Sequence, residues 1–162
     1  NGLSNNQIEC IFKDSRGFVW IGTNFGLNRF DGYRFKIFKQ DKKDEKSISF
    51  NAISNIQEDV SGRLWIRSGD NYVVYDPLKE HFLRDIQAVI APLGIDITAS
   101  IVHIDKQKNY YLYQPNVGVH KYDVSLNKPT TYRQGDDNKG LTKGSIVNIR
   151  DGENCFWVLH LS

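Results

Sequence analysis

The segment that decides the fold is Asp14-Ser15-Arg16-Gly17-Phe18-Val19-Trp20. Its first four residues are typical of a tight turn, because aspartate favours the first turn position and glycine accepts a positive φ. Related segments follow at 59–65 and 105–111, after steps of 45 and 46 residues. A repeat of about 40–45 residues is typical of four-stranded β-propeller blades. The sequence therefore predicts an all-β repeat protein.

A fourth copy begins at Leu141 and keeps the apolar spacing through Ile146 and Ile149. Trp157 comes one residue early, which predicts a turn shortened by one residue. The predicted architecture is a partial β-propeller of about three and a half four-stranded antiparallel blades. The predicted blades are 3–47, 48–93, 94–140 and, in part, 141–162, with first strands at 7–13, 52–58, 98–104 and 145–150.

Local chemistry predicts further features of the turns and linkers. In the third copy Lys108 and Asn109 replace the turn glycine, and asparagine tolerates the left-handed conformation. The mixed charges of residues 39–46 predict a solvated loop, with a partner-binding edge as the alternative. The segment from Arg84 to Ala91 predicts two helical turns that end at Pro92.

Several candidate chemical groups have a simpler structural interpretation. Asp14, Asp59 and Asp105 each begin the first hairpin turn of a repeat. They could form a set of catalytic carboxylates, but their identical placement favours a role in capping the turn. Trp20 and Trp65 could stack on a sugar, but their equivalent positions favour packing between blades. Cys10 and Cys155 are predicted to be free thiols rather than a disulfide. The four histidines are scattered, so the sequence predicts no catalytic residue, metal site or cofactor.

Composition limits the partners of the segment. The net charge of +2 and the absence of a basic face with aromatic side chains predict no nucleic-acid binding. No apolar run of about 18 residues is present, so we expect no membrane contact by the segment itself. The 162 residues include no methionine, so we expect a piece of a longer or processed chain.

The repeat is broken at one position near the end of the second strand, where Gly22 is replaced by Arg67 and Tyr113. One interpretation is local repacking. The other is a ligand surface, because aromatic faces and planar polar groups suit sugar rings and their hydroxyls. The candidate ligand-binding residues are Asn24, Phe25, Arg67, Asn71, Tyr72, Tyr113, Gln114 and Asn116.

The first repeat resembles the two-component regulator propeller family. The residues that carry the resemblance are Gly2, Leu3, Ser4, Asn5, Asn6, Ile8, Ile11, Asp14, Gly17, Trp20, Ile21, Gly22, Thr23, Gly26, Leu27, Arg29, Phe30, Asp31 and Gly32. The match is good in the second copy and degraded in the third and fourth.

The resemblance implies a periplasmic sensor propeller of an expected seven blades in a Bacteroides-type hybrid two-component system. It implies a membrane helix, a histidine kinase, a receiver and a DNA-binding module elsewhere in the polypeptide. It also implies an oligosaccharide ligand, control of polysaccharide-utilisation genes and self-association of the full sensor. A propeller lyase or glycosidase and a protein-interaction propeller remain open as alternatives. With about three and a half blades, we expect the isolated segment to associate through its open flanks.

Overall fold

The computed structural model describes residues 2–96, 98–135, 141, 145–152 and 155–161. Within these ranges the chain forms three four-stranded antiparallel sheets and one two-stranded sheet, each with its strands in chain order. The predicted all-β class is therefore confirmed. None of the helices in these ranges has the length and apolar character needed to cross a membrane.

Each sheet is built from strands that follow one another directly along the chain. Sheet 1 contains β1 (Ile8–Lys13), β2 (Val19–Thr23), β3 (Gly26–Phe30) and β4 (Phe35–Phe38). Sheet 2 contains β5 (Ile53–Glu58), β6 (Leu64–Ser68), β7 (Asn71–Asp76) and β8 (His81–Leu83). Sheet 3 contains β9 (Ile101–Ile104), β10 (Tyr110–Gln114), β11 (Gly118–Asp123) and β12 (Lys128–Arg133). Sheet 4 contains β13 (Ser145–Asp151) and β14 (Phe156–Leu161).

The chain divides into two compact units. The first unit, Asn1–Ile86, contains sheets 1 and 2, and the second, Gln87–Ser162, contains sheets 3 and 4. The second unit opens with α1 (Gln87–Ile90) and a 3-10 helix (Ala91–Leu93).

The predicted helix from Arg84 to Ala91 was wrong in its bounds. α1 has only four residues, and Pro92 lies within the following 3-10 helix instead of ending the helical segment. Proline is tolerated there because the first turn of a helix needs no donor from its N–H. Arg84 lies outside the helix, and its guanidinium binds the linker between sheets 1 and 2. It donates to the carbonyl oxygens of Asp44 at 3.0 Å and Ser47 at 3.1 Å.

The turn between the first two strands of each four-stranded sheet is held by its aspartate. Asp14 Oδ1 accepts hydrogen bonds from the backbone N–H groups of Arg16 and Phe18, and its Oδ2 accepts one from Trp20 Nε1 at 2.8 Å. Asp59 repeats this arrangement, with Trp65 Nε1 at 3.1 Å. The predicted capping role of these aspartates is confirmed. The carboxylate also fixes the tryptophan that packs between sheets.

The third copy keeps the same arrangement with different residues. Tyr111 Oη takes the place of the indole and donates to Asp105 Oδ2 at 3.2 Å. The left-handed residue is Lys108, with φ of 67°, so the prediction that Asn109 relieves the turn was wrong. Asn109 donates instead to both carboxylate oxygens of Asp105.

The fourth copy has the shortened turn that the sequence predicts. Gly152 N donates to Cys155 O at 2.8 Å, so the two strands are joined by a backbone hydrogen bond between these residues. The corresponding bond in sheet 1 joins Asp14 N to Phe18 O and closes a turn of residues 14–18. Gly152 thus takes the place of the aspartate. The side chain of Asp151 lies outside the described part of the chain.

A β-bulge in the first strand decides which residues face the neighbouring sheet. It lies between Ile8 and Cys10 in β1, and the same irregularity recurs at the same place in β5 and β13. Strict alternation would put two isoleucines three positions apart on opposite faces, but the extra residue brings them to one face. In β5 both of these isoleucines, Ile53 and Ile56, are buried.

Each unit has its own apolar core between its two sheets. In the first unit Trp20 packs with Ile53, Ile56 and Tyr75. Its ring lies 5.0 Å from the Tyr75 ring, in an edge-to-face arrangement. The second core joins sheets 3 and 4 and contains Tyr111, Tyr113, Val119, Ile146 and Ile149. The predicted packing role of Trp20 is confirmed, and Trp65 is likewise fully buried.

Candidate functional site

The predicted ligand residues of the first unit lie at the turns between the second and third strands of sheets 1 and 2. β5 runs alongside β1 in the same direction, because Cys10 Sγ approaches Ile53 O at 3.9 Å and Ser15 N donates to Glu58 at 3.0 Å. The β2–β3 and β6–β7 turns therefore lie at the same end of the two sheets. We call this the turn end.

In sheet 1 the turn end presents Asn24 and Phe25. Phe25 is 58% exposed, so one face of its ring is open to solvent. Asn24 Nδ2 donates to Glu9 Oε1 at 2.9 Å, so the amide is held beside a carboxylate. Thr23 Oγ1 supports the turn, since it accepts from Phe25 N and donates to Gly26 O.

In sheet 2 the three predicted residues differ in accessibility. Asn71 is exposed beside the turn, Arg67 is half-buried, and Tyr72 is buried. Arg67 pairs across the strands with Asn55 and Tyr72. Asn71 is therefore the most accessible of the three residues, and Arg67 is partly accessible.

In the second unit the predicted residues lie at the β10–β11 turn. Gln114 is half-buried and Asn116 is exposed, with φ of 63°. Tyr113 is buried in the core between sheets 3 and 4, and its hydroxyl accepts a hydrogen bond from Ile146 N at 3.5 Å. At this turn the accessible groups are therefore the two amides.

The register explains the residue change at Gly22. Gly22, Arg67 and Tyr113 are each the fourth residue of the second strand of their sheet. In sheet 1, a Cβ on Gly22 would come within 2.5 Å of Cys10 Sγ and 2.7 Å of Ile53 Cγ2. This position therefore faces the next sheet. In sheet 1, Gly22 leaves the space there to Ile53. In sheet 3, the side chain of Tyr113 fills the corresponding space.

Phe50, which the sequence does not indicate as a site residue, is 46% exposed. Its backbone N–H donates to Ser68 Oγ at 2.8 Å, so Phe50 lies against the end of β6. The ring also lies against Gly69, in the β6–β7 turn. Phe50 lies 45 residues after Asn5, so the first repeat gave no signal for an aromatic side chain at this position.

The repeat aspartates are not available for acid–base chemistry. Asp14, Asp59 and Asp105 are all buried, and both oxygens of each carboxylate accept hydrogen bonds within the turn. Among the described residues, no group of three or more His, Cys, Asp or Glu side chains is placed to hold a metal ion. Both cysteines are free thiols, and burial raises the pKa of Cys10 to about 11, which makes this thiol unreactive at neutral pH.

A charged cluster joins sheets 1 and 2 away from the turn end. Glu80, in the β7–β8 turn, accepts from Arg29 Nη1 at 2.8 Å and from Lys36 Nζ at 2.9 Å. The hydrogen bonds from Lys36 and Arg29 lower the pKa of Glu80 to about 2. Arg29 also lies over the Phe18 ring at 4.6 Å. The cluster thus adds partly exposed ion pairs between the two sheets, at the end opposite the turn end.

Comparisons with known proteins agree with the sequence resemblance and the fold. The family model described as two component regulator propeller matches residues 2–25, which confirms the resemblance of the first repeat. Histidine kinase P4 of Formosa agariphila is 45% identical over 49 residues, which are 30% of this chain and 4% of that protein. The chain thus spans a small fraction of this curated relative.

Solved structures with the same fold come from different functional classes. One is the extracellular domain of the putative one component system BT4673 from B. thetaiotaomicron, with a TM-score of 0.59 and 20% identity. The match covers 96% of this chain and 23% of that chain. Another is virginiamycin B lyase from Staphylococcus aureus, with a TM-score of 0.51, 15% identity and coverage of 94% and 48%. At these identities the likeness shows the propeller fold alone.

Proposed function

We propose that this chain is part of the ligand-sensing propeller of a two-component signalling receptor. The observation that carries the proposal is the family match at residues 2–25, which form β1, β2 and the turn that follows. In a receptor of this kind the propeller lies outside the cytoplasm, in the periplasm, and a histidine kinase lies elsewhere in the polypeptide. The 49-residue similarity to a histidine kinase supports that arrangement.

The ligand we propose is an oligosaccharide bound at the turn end. Phe25 and Phe50 offer exposed aromatic faces to sugar rings, and Asn24, Asn71 and Arg67 offer donors and acceptors to hydroxyls. In the second unit Gln114 and Asn116 offer the same amide chemistry. The signal would control genes for polysaccharide use.

We propose binding without turnover for this segment. Hydrolysis of a glycosidic bond would require two carboxyl groups that face one site. The three aspartates of the repeat turns are buried and hydrogen-bonded to their own turns, so none is free to act on a sugar.

The test is isothermal titration calorimetry of the receptor's complete extracellular region with a panel of oligosaccharides. For a sugar that binds, Phe25→Ala and Asn71→Ala should each weaken binding about fivefold to tenfold, the effect of losing one stacking or hydrogen-bonding contact. Tyr33→Ala is the matched control, because Tyr33 is an exposed aromatic in the turn between β3 and β4, at the opposite end of sheet 1.

Two other results would contradict the proposal. Release of new reducing ends from a bound oligosaccharide would identify a propeller enzyme. Capture of a protein partner with no sugar binding would identify an interaction propeller.

A further inference from the structure

Glu9 lies at the turn end, outside the regular pairing of sheet 1. β1 pairs with β2 at Ile8 and again at Cys10, so Glu9 is the extra residue of the bulge. A bulge leaves its extra residue unpaired and re-aims the side chain. Glu9 is exposed, and its carboxylate reaches Asn24 in the β2–β3 turn. The bulge thus places a carboxylate beside the turn that carries the exposed ring of Phe25.

The exposure of Glu9 belongs to its position in the sheet. Its counterpart in sheet 2 is Ser54, the extra residue of the same bulge in β5. Ile53 and Ile56 of β5 are buried in the core with sheet 1, yet Ser54 between them is exposed. A preceding sheet therefore covers the isoleucines of a first strand and leaves the bulge residue open. We expect Glu9 to stay open in the same way when a preceding blade covers Ile8 and Ile11.

Two amide side chains fix the direction of the Glu9 carboxylate. Asn24 Nδ2 donates to its Oε1 at 2.9 Å, and Gln7 Nε2 donates to the same oxygen at 3.1 Å. Gln7 is held in turn, because its backbone N–H donates to Asn5 Oδ1 at 2.7 Å. Within the described part of the chain, no donor binds Oε2 of Glu9. One oxygen of the carboxylate is thus satisfied by the protein, and the other can accept hydrogen bonds from a ligand.

We propose that Glu9 selects neutral sugar units at the turn end, by accepting hydrogen bonds from the hydroxyl groups of a ring that stacks on Phe25. The inference rests on the proposed function and names the kind of oligosaccharide bound. An ionised carboxylate only accepts hydrogen bonds, and such charged hydrogen bonds are about twice as strong as neutral ones. A uronic acid or a sulfated ring would bring a second negative charge to Oε2, and the two charges would repel each other.

The experiment is isothermal titration calorimetry of the receptor's complete extracellular region with three matched pairs of trisaccharides. Each pair is a neutral sugar, namely cellotriose, mannotriose or galactotriose, and its uronic-acid form. The wild type should bind a neutral member more tightly than its acidic partner. Glu9→Gln keeps an acceptor for the amides of Gln7 and Asn24 but removes the charge. It should bind the neutral sugar about tenfold more weakly and narrow the preference over the acidic form by at least the same factor.

Glu80→Gln is the matched control, because it removes the same charge from the β7–β8 turn, at the opposite end of the sheets. Both affinities should stay within about twofold of the wild type. Circular dichroism melts check that the variants fold. A purely structural role of Glu9 would weaken both members of a pair equally and leave their ratio unchanged.

The outcomes separate this inference from the proposed function. Tighter binding of the acidic member by the wild type would overturn the inference, and so would a ratio that Glu9→Gln leaves unchanged. In either case a sugar that binds, and that Phe25→Ala weakens, would still support the proposed function. If none of the six trisaccharides bound, the inference would be overturned, whereas the proposed function is decided by the wider panel of oligosaccharides.

Discussion

The two inter-sheet cores show how one blade geometry accepts different residues. Between sheets 1 and 2, Gly22 leaves room for Ile53, and Trp20 fills the core with its ring 5.7 Å from that of Phe38. Between sheets 3 and 4, Tyr111 packs 4.8 Å from Phe156, and Tyr113 fills the position of Gly22. A small residue with a large indole is thus replaced by two tyrosines. The same two positions are filled in different ways in the two cores, so neither position can be interpreted alone.

The largest effect is expected from removing the indole of the first core. Trp20→Ala should lower the free energy of unfolding by about 3–5 kcal/mol, because a fully buried aromatic ring leaves a cavity. Urea denaturation followed by circular dichroism measures it. Tyr33→Ala, at a side chain that is 92% exposed, should stay within about 0.5 kcal/mol of the wild type. A loss below about 1 kcal/mol for Trp20→Ala would show that this core contributes little.

A smaller loss is expected from filling the space at Gly22. In Gly22→Ala the new methyl group would meet the Ile53 carbonyl oxygen at 2.8 Å, so the two sheets must move apart. Overpacking of this kind costs about 1–3 kcal/mol. Gly2→Ala is the control, because nothing lies within 4 Å of its added Cβ. An unchanged unfolding midpoint for Gly22→Ala would mean that the first core accepts a larger side chain at this position, as the second core does.

The hydrogen bond in the third repeat turn should contribute about 1 kcal/mol. Tyr111→Phe keeps the ring in the core but leaves Asp105 Oδ2 without its phenol donor. Thermal unfolding measures the loss, and Tyr33→Phe at an exposed ring serves as the control. If Tyr111→Phe were as stable as the wild type, the hydrogen bond from the phenol would contribute nothing to the free energy of unfolding. The phenol would then not replace the indole donor of the first two repeats.

The smallest effect concerns Glu80. Its pKa in the folded chain is about 2, below the ordinary value of 4.5, because Lys36 and Arg29 donate to its carboxylate. The stabilisation is therefore complete above about pH 4.5 and is lost as the pH falls toward 2. Since half of the side chain is exposed, we expect less than about 1 kcal/mol. Urea midpoints between pH 7 and pH 2.5 should fall less steeply for Glu80→Gln than for the wild type, and parallel curves would contradict this.

The sequence predicted the features that depend on the repeat itself. The aspartate and the aromatic residue six positions later are enough to predict the turns and the buried rings. The repeat also predicted the shortened fourth turn. It did not predict the bulge, because Ile8 and Ile11 lie three positions apart and no alternating pattern places them on one face. Nor did it predict that Lys108 would be the left-handed residue, since lysine has no local preference for that conformation.

Prediction of the candidate site was limited by side-chain direction. The glycine and asparagine of the β2–β3 turn indicate it in the sequence, so Asn24 and Phe25 could be placed on an accessible turn. Tyr113 required the strand register, which shows that its position faces the next sheet. Phe50 required the tertiary contact with Gly69.

The Arg84 guanidinium has a consequence for how the chain withstands proteases. Its Nη2 donates to Ser47 Oγ at 2.9 Å as well as to the Asp44 carbonyl, so it ties the backbone of the linker between sheets 1 and 2. Residues 39–46 contain four lysines and are largely exposed, which would make a slack loop an easy substrate for trypsin. A protease must draw the chain into its active site in an extended form, and here it must first release a guanidinium held by carbonyl oxygens of the linker. We therefore expect trypsin to cleave the lysine-rich linker more slowly than its composition suggests.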